Sequence, residues 1–162
     1  MIQHRTDTHQ VCLLHRPDQK GVTPIGDLVQ LIYASQPFGY DIPMLTGILF
    51  DARRCNERDG ITGALVCRND LYLQLLEGPD AKVYAAYERI KRDDRHIDLR
   101  QLVDRPVSHR MFGDWAMLHD PAISWIWSPA EISDGILERA TELEIVALFE
   151  NLAEKAKEGP PS

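Results

Sequence analysis

Two polar side chains stand where apolar ones are expected. Gln74 interrupts Leu71-Tyr72-Leu73 and Leu75-Leu76, and Tyr33 sits near the end of Leu28-Val29-Gln30-Leu31-Ile32-Tyr33-Ala34-Ser35. A strand apolar on both faces is buried on both faces, so the amide and the phenol must find hydrogen-bond partners inside the protein. A primary amide offers a donor pair and an acceptor, and reversing it exchanges the two roles. The plain alternative is that the phenol and the amide satisfy each other or the backbone. The cluster Asp93, Arg95 and His96 brings an acid, a cation and an imidazole together, or else forms a solvated turn whose cations favour a helix C-terminus. Asn56 reads as a helix C-cap. Trp115 and Met117 read as core. No glycine-rich phosphate loop, nucleophile elbow or His-Glu metal motif is present.

The elements that must position these groups follow from pattern. The stretch Gly60 to Gly78 is a β-hairpin, with strands at Ile61–Cys67 and Leu71–Glu77 joined by Arg68-Asn69-Asp70. Asn and Asp tolerate the positive φ of tight turns. Leu28–Ser35 is a strand with Val29, Leu31 and Tyr33 on one face, ended by Pro37 and Gly39. Asp41 caps a helix from about Ile42 to Asn56, with Pro43 in its first turn and Leu45, Ile48, Leu49 and Ala52 as its buried stripe. Gly78-Pro79-Asp80 opens a second helix with proline at the first helical position, and Val83, Ala86, Tyr87 and Ile90 form its stripe. Strands are expected at Leu99–Val103 and Trp115–Leu118. The order β-α-β-β-α-β-β is that of an α+β, ferredoxin-like sandwich with one added strand.

The flanks differ. Residues 1–26 mix polar residues with a short apolar patch, Val11-Cys12-Leu13-Leu14, and read as an extension with at most one marginal strand and a composition that permits disorder. Residues 27–120 form the main domain and 121–162 a helical segment. In that segment Ser128-Pro129-Ala130-Glu131 is a capping box, helix formers run to Lys157, Gly135 divides them, and Gly159-Pro160-Pro161 stops them. Its broad apolar face must pack on the sheet, on another chain, or on both.

Composition narrows the function. The 162 residues carry 18 Lys and Arg against 25 Asp and Glu, a formal net charge of −7, which argues against nucleic acid as a main partner. No apolar run spans a membrane, and the polar start is not a signal peptide. Cys12, Cys55 and Cys67 form no paired framework, so reduced thiols in a cytoplasmic protein are expected.

Five pieces in register resemble the BLUF family of flavin-binding blue-light sensors, from about Leu28 to His119. They are Ile32-Tyr33-Ala34-Ser35; Ala52-Arg53-Arg54-Cys55-Asn56 leading into Gly60-Ile61-Thr62-Gly63-Ala64-Leu65; Gln74-Leu75-Leu76-Glu77-Gly78; Arg92-Asp93-Asp94-Arg95-His96; and Phe112-Gly113-Asp114-Trp115-Ala116-Met117. The resemblance implies the ferredoxin-like sheet, with a non-covalent FAD or FMN between the two helices on one face and the C-terminal helices on the other. It implies that Tyr33 is electron donor to the excited flavin and that Gln74 bridges the phenol and the flavin edge. Asn56 is then expected at the pyrimidine edge, Asp93 and Arg95 toward the ribityl and phosphate side, His96 near the ring, and Ile90 among the cofactor contacts. Trp115 and Met117 are expected on the last strand close to Gln74 as signal relays, and Ser35 as support for Tyr33 or Trp115. Cys55 departs from the His or Asn often found there. The implied protein has no catalysis of its own, passes its signal to a separate effector such as a cyclic-nucleotide signalling enzyme or a transcription regulator, and self-associates. The rivals are an acylphosphatase-like enzyme of the same fold and a cofactor-free interaction module.

Overall fold

The computed structural model describes residues 27–38, 41–120 and 127–158. The N-terminal extension with its marginal strand, the Gly39 turn residue and the Gly159-Pro160-Pro161 stop lie outside the described residues.

Strand β1 (Leu28–Pro37) leads into helix α1 (Ile42–Asp59), the hairpin β2 (Thr62–Arg68) and β3 (Leu71–Pro79), helix α2 (Asp80–Lys91), and strands β4 (His96–Val107) and β5 (Leu118–Asp120). The sheet order is β4-β1-β3-β2-β5. All neighbours are antiparallel except β2 and β5. This is the ferredoxin-like α+β arrangement with one added edge strand, and β1 and β3 lie at its interior.

Alternation along the strands sorts side chains onto two faces. One face, with Leu31, Tyr33, Leu65, Tyr72 and Leu76, packs under Leu45, Ile48 and Leu49 of α1 and Val83, Ala86 and Tyr87 of α2. The other, with Ile32, Ala34, Val66, Leu73 and Leu75, packs against Ile145, Val146, Phe149, Leu152 and Ala153 of the tail. The large members of that tail set each contribute roughly 1.5–3 kcal/mol by leaving water. The tail helix therefore covers the sheet face away from α1 and α2.

Several boundaries moved, each for a reason outside its own segment. Helix α1 continues past Asn56 to Asp59 and ends at Gly60, whose left-handed backbone (φ 68°) turns its N–H back to the Asn56 carbonyl. Asn56 is thus buried in the last turn rather than capping it. Pro79 is the N-cap of α2 rather than its first helical residue. Strand β4 is much longer than Leu99–Val103, because β1 offers a partner from Leu28, opposite Val107, to Pro37, opposite His96. His96 therefore belongs to a strand and not to a helix-terminal turn. The last strand begins only at Leu118, so Trp115 and Met117 precede it in a bend. The tail breaks at Gly135 as expected, and again at Ala140, giving α3 (Pro129–Ser133), α4 (Ile136–Arg139) and α5 (Glu142–Lys157). A second capping box, Thr141 with Glu144, starts α5.

Candidate functional site: a polar floor beneath two helices

Tyr33 and Gln74 are direct partners in the register of β1 and β3. Both side chains project to the α1–α2 face, and the buried Tyr33 hydroxyl donates to Gln74 Oε1. Burial, and after it the nearby Asp93 carboxylate, raise the Tyr33 phenol well above its ordinary pKa. It is therefore a protonated donor at neutral pH. Gln74 Nε2 faces Met117 Sδ at 3.5 Å. The amide thus spends its strong acceptor on a phenol and one donor on a thioether, a weak acceptor. Reversed, it would point its N–H groups at the phenol oxygen and its carbonyl at a sulfur that donates nothing. The two orientations are chemically distinct states of one network, and neighbouring groups decide between them.

Around this pair the two helices and β4 supply ionisable groups. The Tyr33 ring lies 5.6 Å from Tyr87 and 6.0 Å from His96, centroid to centroid. Burial lowers the His96 pKa to about 4 against the pull of Asp93, so the imidazole is neutral at pH 7. Its Nδ1 pairs with Ser35 Oγ at 2.8 Å. Ser35 therefore engages His96 rather than Tyr33 or Trp115, because β4 extends far enough to bring His96 opposite the end of β1. Burial alone would raise the Asp93 carboxyl, but hydrogen bonds from the Arg95 side chain and backbone outweigh it and hold it below the usual range. Arg95 also reaches Asp51 of α1 at 3.3 Å. Ile90 is half-buried against the core under the helices.

The bend before β5 is tied to α1 through its backbone. Asn56 Nδ2 donates to the Ala116 carbonyl at 2.7 Å and Arg53 Nε to that of Met117 at 3.1 Å, while Gly63 N–H donates to the Trp115 carbonyl at 3.1 Å. The bend separates the two residues expected together. Met117 turns in beneath the helices, against Gln74. Trp115 turns to the far face, where its ring meets Phe112 at 6.4 Å, and Phe112 in turn meets Phe149 of α5 at 6.3 Å. A cavity of about 230 Å³ opens beside this bend, lined by Arg53, Glu57 and residues 114–118.

Sequence reasoning passed over Glu77, three residues beyond Gln74. It is fully buried on the far face and accepts from Gln30 Nε2, Thr62 Oγ1 and the N–H groups of Met111 and Phe112. The signal that exposed Gln74, a polar residue in a doubly apolar strand, applied equally to Glu77. Asp51 carried no signal, and Arg53 stood only within the Ala52–Asn56 piece without a role of its own. Cys55 is disulfide-bonded, which departs from the expectation of reduced thiols, and the buried Cys67 Sγ lies 2.9 Å from His119 Nε2. Among the described residues no His, Cys, Asp and Glu group could hold a metal ion, and no helix is long and apolar enough to cross a membrane.

The fold and site define a ferredoxin-like domain with a two-helix canopy over an interior Tyr–Gln pair, and comparison with known proteins says which class of such domains it is. Residues 28–118 match the BLUF family, described as sensors of blue-light using FAD, and the chain belongs to that family. It is 37% identical over 92 residues to photoactivated adenylate cyclase subunit alpha of Euglena gracilis, covering 54% of this chain and 9% of that protein. It is 35% identical over 66 residues to the blue light- and temperature-regulated antirepressor BluF of Escherichia coli K12, covering 41% of this chain and 16% of the relative. Both matches span only a small part of the relatives' own lengths. Among solved structures, the BLUF protein BlrB in its dark state superposes with a TM-score of 0.65 at 28% identity, covering 81% of this chain and 98% of that one.

The protein is accordingly a flavin-binding blue-light sensor, with FAD or FMN as chromophore. The residues present fit a flavin. Its dioxopyrimidine edge alternates acceptors with a donor, which amides such as Gln74 and Asn56 match with both functions in one group. The cation of Arg95 suits a phosphate, and apolar side chains of α1 and α2 suit a flat ring. Neither the acylphosphatase-like enzyme nor the cofactor-free module is favoured.

Proposed function

We propose that this chain senses blue light through a rearrangement of hydrogen bonds among Tyr33, Gln74 and the flavin, and hands the result to a separate effector protein. The hydrogen bond from Tyr33 to Gln74 between the two interior strands carries this reading. Bound flavin supplies absorption of blue light and an excited state able to take an electron from a phenol. Tyr33 would give an electron and its hydroxyl proton toward a bound, excited flavin, Gln74 would relay the proton through its amide, and both would return to Tyr33 with the amide rearranged. A rearranged Gln74 amide would donate differently to a bound flavin, and that change in hydrogen bonding would supply the red shift of its absorption. No covalent bond persists, so the dark state returns thermally.

Within the flavin-binding region, residues 27–120, Asn56 would hold the pyrimidine edge, Ile90 and His96 would lie at the ring, and Asp93 and Arg95 would lie toward the ribityl and phosphate side. Ser35 acts at one remove by orienting His96. Met117 feels the Gln74 amide directly and Trp115 carries the change to the far face, where the helical segment 121–162 contributes to self-association or effector binding. The chain itself turns over no substrate. Its cytoplasmic effector is a cyclic-nucleotide signalling enzyme or a transcription regulator, the two classes that the names of the relatives suggest. Tyr33→Phe and Gln74→Leu test the core of this reading. Each should keep flavin and lose the light-induced red shift; a normal, reversible shift in either variant refutes the assigned roles.

A further inference from the structure

The rim of the site holds a second carboxylate to which no role has been given. Asp51 lies on α1 four residues after Gly47, one turn along the same helix face. Arg95 lies across this face from the α2–β4 side. Its Nη2 is 3.3 Å from Asp51 Oδ2, and its Nη1 would stand 3.6 Å from a Cβ on Gly47. Asp93 grips the same guanidinium at Nε and Nη2 and also accepts the Arg95 backbone N–H. The three side chains are between one-eighth and one-quarter exposed, at 24% for Asp51, 22% for Arg95 and 13% for Asp93. One cation thus serves two carboxylates, and the cluster carries a net single negative charge.

The two carboxylates are not equivalent. Asp93 is the more buried, makes several contacts with Arg95, and belongs to the same short turn. Asp51 makes one longer contact from another element. It is the partner that an incoming anion can displace. Resting on the reading that Arg95 meets the flavin phosphate, we propose that Asp51 determines flavin specificity. It competes with the phosphate for Arg95 and so limits how strongly the site prefers phosphate-bearing flavins over riboflavin. A phosphate monoester carries about −1.5 to −2 charges at pH 7. A carboxylate sharing its cation opposes it with a partly screened repulsion, on the order of tenfold in affinity.

The test uses Asp51→Asn, which keeps shape and hydrogen bonding while removing the charge. Wild type and variant are titrated in the dark with riboflavin, FMN and FAD. The expected result is FMN and FAD binding about tenfold tighter in the variant, riboflavin binding unchanged, and the difference shrinking as salt is raised. Asp51→Ser carries the same test if the amide variant fails to fold, with unchanged riboflavin affinity reporting an intact site. Equal changes for riboflavin and FMN, or FMN weakened relative to riboflavin, overturn the proposal. If wild type binds all three flavins and this discrimination is unaltered in the variant, only the role of Asp51 falls. If wild type binds no flavin, the functional reading falls with it.

Discussion

Acidification from pH 7 to pH 5 should cost the folded protein about 2 kcal/mol through His96 alone. The imidazole is packed between Tyr33 and Tyr72, with ring centroids at 6.0 and 5.2 Å, and paired with Ser35. Burial holds its pKa at about 4 against an ordinary 6.5. Below pH 6.5 the unfolded chain takes up a proton that the folded chain refuses, so the unfolded state gains. The contribution is complete above about pH 6.5 and is lost as pH falls toward 4, at most about 3 kcal/mol across the whole window. At pH 5 the unfolded imidazole is almost fully protonated and the folded one scarcely so, which leaves about 2 kcal/mol of that loss realised. Carboxylates also titrate on acidification, so the measurement is a difference. Urea unfolding at both pH values is followed by circular dichroism for wild type and for His96→Gln, whose amide keeps a partner for Ser35. Wild type should lose about 2 kcal/mol more than the variant between the two pH values. Equal losses would mean that the folded state tolerates imidazolium, and a smaller loss in wild type would mean that Asp93 stabilises the cation more than burial disfavours it.

Arg95→Ala should weaken FMN and FAD more than riboflavin, since a charge-assisted hydrogen bond of roughly 1.5–3 kcal/mol is removed only where a phosphate is present. Equal losses for riboflavin and FMN, read by fluorescence titration, would place Arg95 away from the phosphate. Glu77→Ala should destabilise the fold by roughly 2–4 kcal/mol, because the N–H groups of Met111 and Phe112 lose their acceptor in a dry site. Glu77→Gln, which keeps one acceptor oxygen, should fall between; a urea midpoint in Glu77→Ala equal to wild type would show that this carboxylate does not hold the 110–112 segment.

Much of the framework follows from interactions within a few residues. The hairpin 60–78 is encoded by apolar runs around a short polar turn, the start of α1 by Asp41 accepting from the Met44 N–H, and the start of α3 by its capping box. Tyr33 and Gln74 were legible as a buried polar pair because each interrupts a largely apolar strand, a signal that Gln30, Ser35 and Glu77 share, and their pairing needed only the expected topology. Tertiary structure decided the rest. Whether Ser35 meets Tyr33, Trp115 or His96 depended on how far β4 follows β1, with register shifts at Ile32/Tyr33 and Ala34/Gln36. Whether Trp115 and Met117 share a face depended on where β5 begins. With Leu118 as its first residue the preceding bend is free of strand alternation, so α1 and Gly63 capture its carbonyls and send one side chain to each face. That Arg95 divides itself between Asp93 and an aspartate 44 residues away was invisible for the same reason. Local sequence sets the conformational preferences of a segment, but the partner of a side chain is set by the segments that burial presses against it, and those come from anywhere in the chain.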